Sequence, residues 1–220
     1  MLGSIKMFKL RERVQSLGEE IANSISHGVG VLAAVVAAVF LIISAVQRGH
    51  VSEIVGASVF STTMVLVFLT STLYHALARG KAKRVFRIMD HGAIFLLIAG
   101  TYTPFTLGVL RGVWGWTLLA LVWGLAIVGV VLTAVSRVRY PTVSTLVYLA
   151  MGWLFVVGVK PLWMNMAPWG LFWLAAGGVA YTTGVAFFAA DRVRYGHLVW
   201  HVFVIAGTAC HYIAVLRYAA

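Results

Sequence analysis

The last long apolar segment of the chain, residues 197–217, reads HLVWHVFVIAGTACHYIAVLR and opens with two histidines four positions apart. A helix of about 20 mostly apolar residues crosses a membrane core, so this segment predicts a transmembrane helix. His197 and His201 then share one helix face, where both imidazoles can reach one metal ion. A histidine in a span can instead be a hydrogen-bonded packing residue, although ionisable groups in hydrocarbon are usually functional. A metal site would need at least one further ligand.

The composition of the whole chain indicates an integral membrane protein. Of its 220 residues 61% are hydrophobic and only 10% are charged, whereas a soluble domain has roughly 25% charged residues. The single cysteine, Cys210, excludes an intramolecular disulfide and a cysteine-rich metal site. The formal charge of +11 could suggest a nucleic-acid-binding protein. However, the basic residues fall in short loops between apolar runs, which indicates membrane topology and no nucleic-acid partner.

Seven apolar stretches are long enough to cross a bilayer. They cover residues 23–46, 53–78, 88–109, 113–135, 142–160, 168–190 and 197–217. We therefore predict an all-α integral membrane protein with one bundle of seven transmembrane helices over residues 23–217. The basic and partly apolar segment before it, residues 1–22, predicts a short amphipathic helix that lies on the cytoplasmic membrane surface.

The distribution of lysine and arginine predicts the orientation of this bundle. All but four of the 17 basic residues lie on one side of the seven-span arrangement. The four on the other side are Arg48, Arg111, Lys160 and Arg217. Because cytoplasmic loops are enriched in lysine and arginine, we predict a cytoplasmic N-terminus and a C-terminus outside.

The polar residues of the spans collect near the cytoplasmic end. Ser71 and His75 share one face of the second span, Asp90 opens the third, and the histidine pair opens the seventh. His75, His197 and His201 together have the ligand number of a catalytic zinc ion with a fourth position for water. Asp90 beside them could accept a proton as general base, and Ser71 could hydrogen-bond the water or a ligand.

Several of these residues also have simpler interpretations. Asp90 could form an interfacial salt bridge with Arg87, a type of pair that is common but weak. Ser71 could donate to a carbonyl of its own helix, as serines in membrane helices often do. His27 and His91 are competing ligands, although His91 is rotated about 100° from Asp90 around the helix.

Four polar motifs are spread over nearly the whole chain. They are Glu20-x-x-Asn23-x-x-x-His27-Gly28, Ser71-x-x-x-His75, Asp90-His91-Gly92 through Gly100-Thr101-Tyr102-Thr103-Pro104, and His197-x-x-x-His201 with His211 ten residues later. Together and in this order, they resemble the hemolysin III proteins, the bacterial branch of the progestin and adiponectin receptor (PAQR) family. The resemblance implies seven helices in the bacterial inner (plasma) membrane, a cytoplasmic N-terminus, and a Zn²⁺ ion held near the cytoplasmic side by His75, His197 and His201.

The same resemblance implies three possible functions. The family is grouped with membrane hydrolases that include alkaline ceramidases, and Asp90 and Ser71 match the polar positions around its zinc. Our leading hypothesis is a zinc-dependent hydrolase of a membrane lipid amide or ester, whose substrate enters from the bilayer. The alternative is a non-enzymatic sensor or regulator of membrane lipid or energetic homeostasis, in which His27 or Asp90 would complete a structural zinc site. A channel or cytolysin is the third, but the charged residues do not line a continuous path.

Overall fold

The computed structural model describes residues 13–139, 141–190 and 193–219, and all regular elements of these residues are helical. The helices are α1 (Leu17–Arg48), α2 (Val51–Ala76), α3 (Lys81–Leu107), α4 (Val113–Ser136), α5 (Pro141–Gly152), α6 (Val159–Asn165), α7 (Pro168–Ala189) and α8 (Gly196–Tyr218), and a 3₁₀ turn (Trp153–Val156) follows α5. The prediction of an all-α protein is therefore confirmed over the described part of the chain.

Six of these helices are long and apolar enough to cross a membrane. The fifth predicted span, residues 142–160, is not one straight helix. α5 with its 3₁₀ turn ends at Val156, and α6 begins at Val159 and runs to Asn165, beyond the predicted end of the span. The chain bends by 51° between the two. Pro161 offers no N–H to a helix continuing from residue 157, which explains a break at this place. The spans number seven if this bent pair is counted as one.

The first helix begins at Leu17, earlier than the predicted span. Ser16 caps it: the Ser16 hydroxyl accepts from the backbone N–H of Glu19, and the Glu19 carboxylate accepts from the backbone N–H of Ser16 at 2.9 Å. This reciprocal pair is a capping box. The predicted surface helix falls mostly on residues 1–12, which lie outside the described residues, and residues 13–16 are not helical.

The long helices pack in a chain of neighbours, and α5 lies between its two ends, α4 and α7. α1 packs against α2, α2 against α3, α3 against α4, and α7 against α8, while α8 also contacts α1. Small residues bring the backbones close: a Cβ atom on Gly100 would lie 2.0 Å from Thr63 Oγ1, and one on Gly184 would lie 2.7 Å from the Trp200 ring. Close approach of this kind is the usual basis of helix packing in lipid.

This arrangement leaves two features that matter for function. Because successive long helices run in opposite directions, the end of α2 and the beginnings of α1, α3 and α8 meet at one end of the bundle. In contrast to its long neighbours, α5 makes only sparse contacts with α3, α4 and α7. The loose packing leaves a cavity at the same end of the bundle.

Candidate metal centre

Three imidazoles meet where α2 ends and α8 begins. One ring nitrogen from each of His75, His197 and His201 lies within 4.8 Å of the other two. The ring centroids are 5.0 Å apart for His75 and His197, 5.1 Å for His75 and His201, and 4.7 Å for the pair on α8. Within the described parts of the chain, no other group of three histidine, cysteine or acidic residues has this geometry. The group could therefore hold a metal ion.

The start of α8 is fixed by α1, which places its two histidines. Tyr195 precedes α8 with a left-handed backbone (φ 60°), and its N–H donates to the Glu19 carboxylate at 3.0 Å. The same buried carboxylate pairs with Arg13. The helix that follows turns one face inward, and the i, i+4 spacing then puts His197 and His201 on that face.

Two of the three rings are held from behind by α1. The Nδ1 atom of His75 lies 2.8 Å from Oε2 of Glu20. The Nδ1 atom of His201 lies 3.2 Å from the carbonyl oxygen of Asn23 and 3.0 Å from the hydroxyl of Ser26. A carboxylate only accepts, so the proton of His75 is on Nδ1. Histidines that bind metals typically donate their second ring N–H to a carboxylate or carbonyl, which leaves Nε2 as the ligand atom.

The inward-facing nitrogens fit a metal ion. Nε2 of His75 and Nε2 of His197 are buried, and neither has a hydrogen-bond partner. Buried polar atoms without a partner are unfavourable and rare in folded proteins, so each needs an explanation. A cation that accepts their lone pairs would satisfy both, and imidazole is a preferred ligand of zinc.

Ser71 and Asp90 lie next to each other at the contact of α2 with α3. The Ser71 hydroxyl is buried and makes no hydrogen bond to its own helix, and its polar neighbour is the Asp90 carboxyl group. Its neighbours behave differently, because Thr70 and Thr72 donate to carbonyls of their own helix at 2.9 and 2.7 Å. The simpler interpretation, in which Ser71 also bonds to its own helix, is therefore not what the structure shows. Ser71 is also one turn before His75 on the same helix face.

The competing histidines lie outside the group of three. His27 is buried and stacks on His201, with ring centroids 3.6 Å apart and an angle of 8° between the rings. His91 is buried elsewhere on α3, where its backbone carbonyl accepts from the Tyr148 hydroxyl at 2.8 Å. Neither His27 nor Asp90 has a ligand atom in the group of three. A closed site with four protein ligands is therefore not formed in this structure.

Sequence reasoning gave no role to the residues behind the ligands. Glu20 and Asn23 belonged to a motif, and Lys83 was used only as one of the basic residues that predict the orientation of the spans. In the structure, Lys83 Nζ lies 3.0 Å from Oε1 of Glu20 and also donates to the carbonyls of Tyr74 and Leu77. The spacing of Glu20, Asn23 and His27 on one helix face could have indicated a shared role.

A cavity of about 510 Å³ opens beside the centre, between α3, α5 and α7. Glu20 and His197 form part of its lining, so the cavity reaches the group of three histidines. Its other walls include apolar side chains of α5 and α7, such as Leu149 and Phe188. An amphiphilic molecule could therefore reach the histidines through this space.

Comparison with known proteins gives relatives that extend over nearly the whole chain. Hemolysin-3 of Bacillus cereus is 44% identical over 210 residues, which is 96% of each chain. Hemolysin-3 homolog of Bacillus subtilis (strain 168) is 44% identical over 203 residues, or 92% of this chain and 95% of that one. Human Monocyte to macrophage differentiation factor is 30% identical over 176 residues, 76% of this chain and 71% of that one.

The similarity to the human protein is consistent with the PAQR relationship inferred from the motifs. The sequence model of the family described as Haemolysin-III related matches residues 15–212. This match includes all the residues of the histidine centre and the α1 residues behind it. Together with the apolar helices, it shows that this chain belongs to the haemolysin-III-related family of membrane proteins.

Proposed function

We propose that this protein is a zinc-dependent hydrolase that cleaves an amide or ester bond of a membrane lipid. One observation carries the proposal: three imidazoles converge at the end of an apolar helix bundle, and two of them present buried Nε2 atoms without a partner. We also propose that this end faces the cytoplasm of a bacterial cell, since most basic residues lie there.

His75, His197 and His201 would hold the zinc ion. Three histidines leave a coordination position open, as in catalytic zinc sites, whereas structural sites have four protein ligands. The exclusion of His27 and Asp90 from the group supports the catalytic alternative over the structural one. When bound, zinc supplies Lewis acidity, which polarises a carbonyl group and makes water more acidic.

The residues behind the ligands would orient them. Glu20 accepts the Nδ1 proton of His75 and so directs the lone pair of Nε2 toward the centre. The carbonyl of Asn23 does the same for His201. Lys83 balances the charge of Glu20 and keeps its carboxylate in place. These contacts fix ring orientation before any ligand binds, which favours a precise site.

Asp90 and Ser71 would carry out the proton transfer and positioning. Asp90 would accept a proton from water while the oxygen of that water attacks the carbonyl carbon of the lipid. The proton then passes to the leaving nitrogen or oxygen as the bond to the acyl group breaks. The Ser71 hydroxyl, which makes no hydrogen bond to its own helix and lies beside Asp90, would hydrogen-bond the attacking water or the substrate.

The substrate would enter from the bilayer through the cavity between α3, α5 and α7. The loosely packed α5 and the apolar walls of the cavity support a lateral path for a lipid. A soluble substrate would gain little from such walls. A lipid would instead keep its apolar part in contact with apolar surface.

The test combines metal analysis with a lipid hydrolysis assay on the purified chain. We expect about one zinc ion per wild-type chain, little zinc in His75→Ala, and unchanged zinc in the control His50→Ala, whose histidine is exposed outside the centre. We expect metal-dependent release of fatty acid from a panel of lipid amides and esters. A zinc-loaded protein that cleaves none of them would contradict the hydrolase and leave the sensor with a structural zinc.

A further inference from the structure

We propose that the cavity beside the histidine centre binds the phosphate of an anionic lipid headgroup. Binding does not require hydrolysis. If the proposed function also holds, an anionic acyl lipid is the substrate class of the enzyme. This substrate assignment rests on the proposed function, whereas the binding site does not.

The lining of the cavity is strongly basic. Five lysine and arginine side chains line it, Arg13 before α1 and Arg79, Lys83, Arg84 and Arg87 within residues 79–87. Of these, Arg13 is paired with Glu19. Among the described residues of the lining, Glu20 is the one acidic side chain, and its two oxygens already bind Lys83 and His75 at 3.0 and 2.8 Å. The cavity therefore has an excess of positive charge that an anionic ligand would balance.

Two of these arginines are available to a ligand. Arg79, in the turn before α3, and Arg84, in the first turns of α3, are exposed. Neither takes part in the ion pairs found among the described residues. A guanidinium presents a planar fork of donors that matches the oxygens of a phosphate. The two side chains are thus suited to hold a phosphate at the mouth of the cavity.

The opposite wall indicates that this phosphate belongs to a lipid. Leu146 and Leu149 of α5 and Val185 and Phe188 of α7 form an apolar part of the lining. Leu149 and Val185 also line a second, mostly apolar cavity of about 90 Å³ that continues between the helices to Val204. A ligand that fills both spaces has a charged head and an apolar tail. A free phosphate or a soluble phosphate ester would leave the apolar wall without a partner.

The basic rim is also linked to the histidine centre. Glu20 bridges Lys83 of the rim and His75 of the centre, and His197 lines the same cavity as the arginines. A lipid whose phosphate lies among the arginines would therefore direct its adjoining bonds toward the three imidazoles. This placement makes the headgroup a determinant of which lipids reach the centre.

The experiment measures binding of phosphatidylglycerol, phosphatidylcholine, glycerol phosphate and inorganic phosphate to the purified full chain by native mass spectrometry. We expect phosphatidylglycerol to bind more tightly than phosphatidylcholine, with no binding of the two soluble phosphates at the same concentration. Arg79→Gln and Arg84→Gln should each weaken phosphatidylglycerol binding roughly fivefold, the effect of one cation near an anionic headgroup.

The matched control is Arg137→Gln. Arg137 is exposed and follows α4, at the same end of the bundle, but it does not line the cavity. We expect this variant to bind phosphatidylglycerol as the wild type does. Equal binding of the two lipids, or equal losses in the cavity and control variants, would overturn the site. Tight binding of the soluble phosphates would show an anion site that does not select lipids, and would overturn the lipid assignment.

Zinc content and hydrolysis are measured on the same samples, so the two proposals can fail separately. Selective phosphatidylglycerol binding by a chain that cleaves no lipid would support the headgroup site and contradict the hydrolase. Hydrolysis with no preference for an anionic headgroup, and no effect of Arg79→Gln or Arg84→Gln, would support the hydrolase and contradict the headgroup site.

Discussion

His201 and His211 lie ten residues apart on α8 and have very different surroundings. His201 is buried against two other imidazoles and stacks on His27, and its Nδ1 is bound from behind by α1. The Nε2 atom of His211 lies 3.2 Å from the carbonyl of Leu174 on the adjacent α7. His211 is thus explained by a hydrogen bond between helices, as expected for a packing histidine in a membrane helix.

The contrast shows what separates a metal centre from a polar packing residue in one helix. Residue type does not distinguish the two positions, and His211, like the histidines of the centre, has a ring nitrogen without a hydrogen-bond partner. What differs is convergence: the first turns of α8 meet His75 and a supporting carboxylate, whereas the ring of His211 bonds to backbone and packs near Tyr181. The comparison can be tested by replacing residues of the histidine centre and His211 separately.

The largest difference is expected between His201→Ala and His211→Ala. Loss of His201 leaves two ligands, too few for a stable zinc site, so zinc and lipid hydrolysis should both fall to background. His211→Ala should keep its zinc, although it removes a partly buried hydrogen bond worth about 1 kcal/mol. For both variants, mass spectrometry measures the zinc content and thermal unfolding measures the stability. Equal zinc loss in both variants would remove the distinction.

The next largest effect is expected for Asp90→Asn. The amide keeps the size of the side chain but accepts no proton from water, so turnover should fall about 10²–10⁴-fold, the usual contribution of a general base. Zinc content should remain that of the wild type, because Asp90 is outside the group of ligands. The assay is lipid hydrolysis at saturating zinc. Full activity in this variant would show that Asp90 is not the base.

A smaller effect is expected for Glu20→Gln. The amide oxygen can still accept from His75, but the negative charge and its pairing with Lys83 are lost. Zinc affinity should fall about 10–100-fold, as for other residues that support metal ligands. Competition with a chelator of known affinity measures this change. An affinity equal to that of the wild type would mean that Glu20 does not support the centre.

The smallest effect is expected for Ser71→Ala, with Thr70→Ala as its control. Ser71 lies beside Asp90 and makes no hydrogen bond to its own helix, whereas Thr70 donates to its own helix. If Ser71 positions water or substrate, its loss should reduce turnover about tenfold, the equivalent of one hydrogen bond of about 1.4 kcal/mol. Thr70→Ala should leave turnover unchanged. Equal effects in the two variants would assign Ser71 a packing role.

The helical character and the convergence of the histidines could be predicted from the sequence. Apolar runs of membrane length mark the helices, and i, i+4 spacing puts His197 and His201 on one face. Orientation of the spans placed His75 at the same level. The fifth span was predicted to end at residue 160, before Pro161, whereas the helical path breaks after Val156 and α6 continues to Asn165. Gly158 was a visible signal for the earlier break.

The support for the ligands could not be predicted in the same way. Periodicity tells which face of α1 holds Glu20 and Asn23, but not which neighbouring helix that face meets. That Asn23 contributes its backbone carbonyl, and not its side chain, depends on the approach of α8 to α1. The basic lining of the cavity likewise depends on the spacing of α3, α5 and α7. Both follow from tertiary packing.

The most direct test of the three-histidine centre is zinc X-ray absorption spectroscopy on the purified wild-type chain. The account predicts three imidazole nitrogens at about 2.0–2.1 Å and one oxygen ligand that is not part of an imidazole, as in catalytic zinc sites. The same spectrum should be obtained from Asp90→Ala, because Asp90 is not a ligand. A spectrum with four imidazoles, or one that changes when Asp90 is removed, would contradict an open centre and indicate a closed structural site.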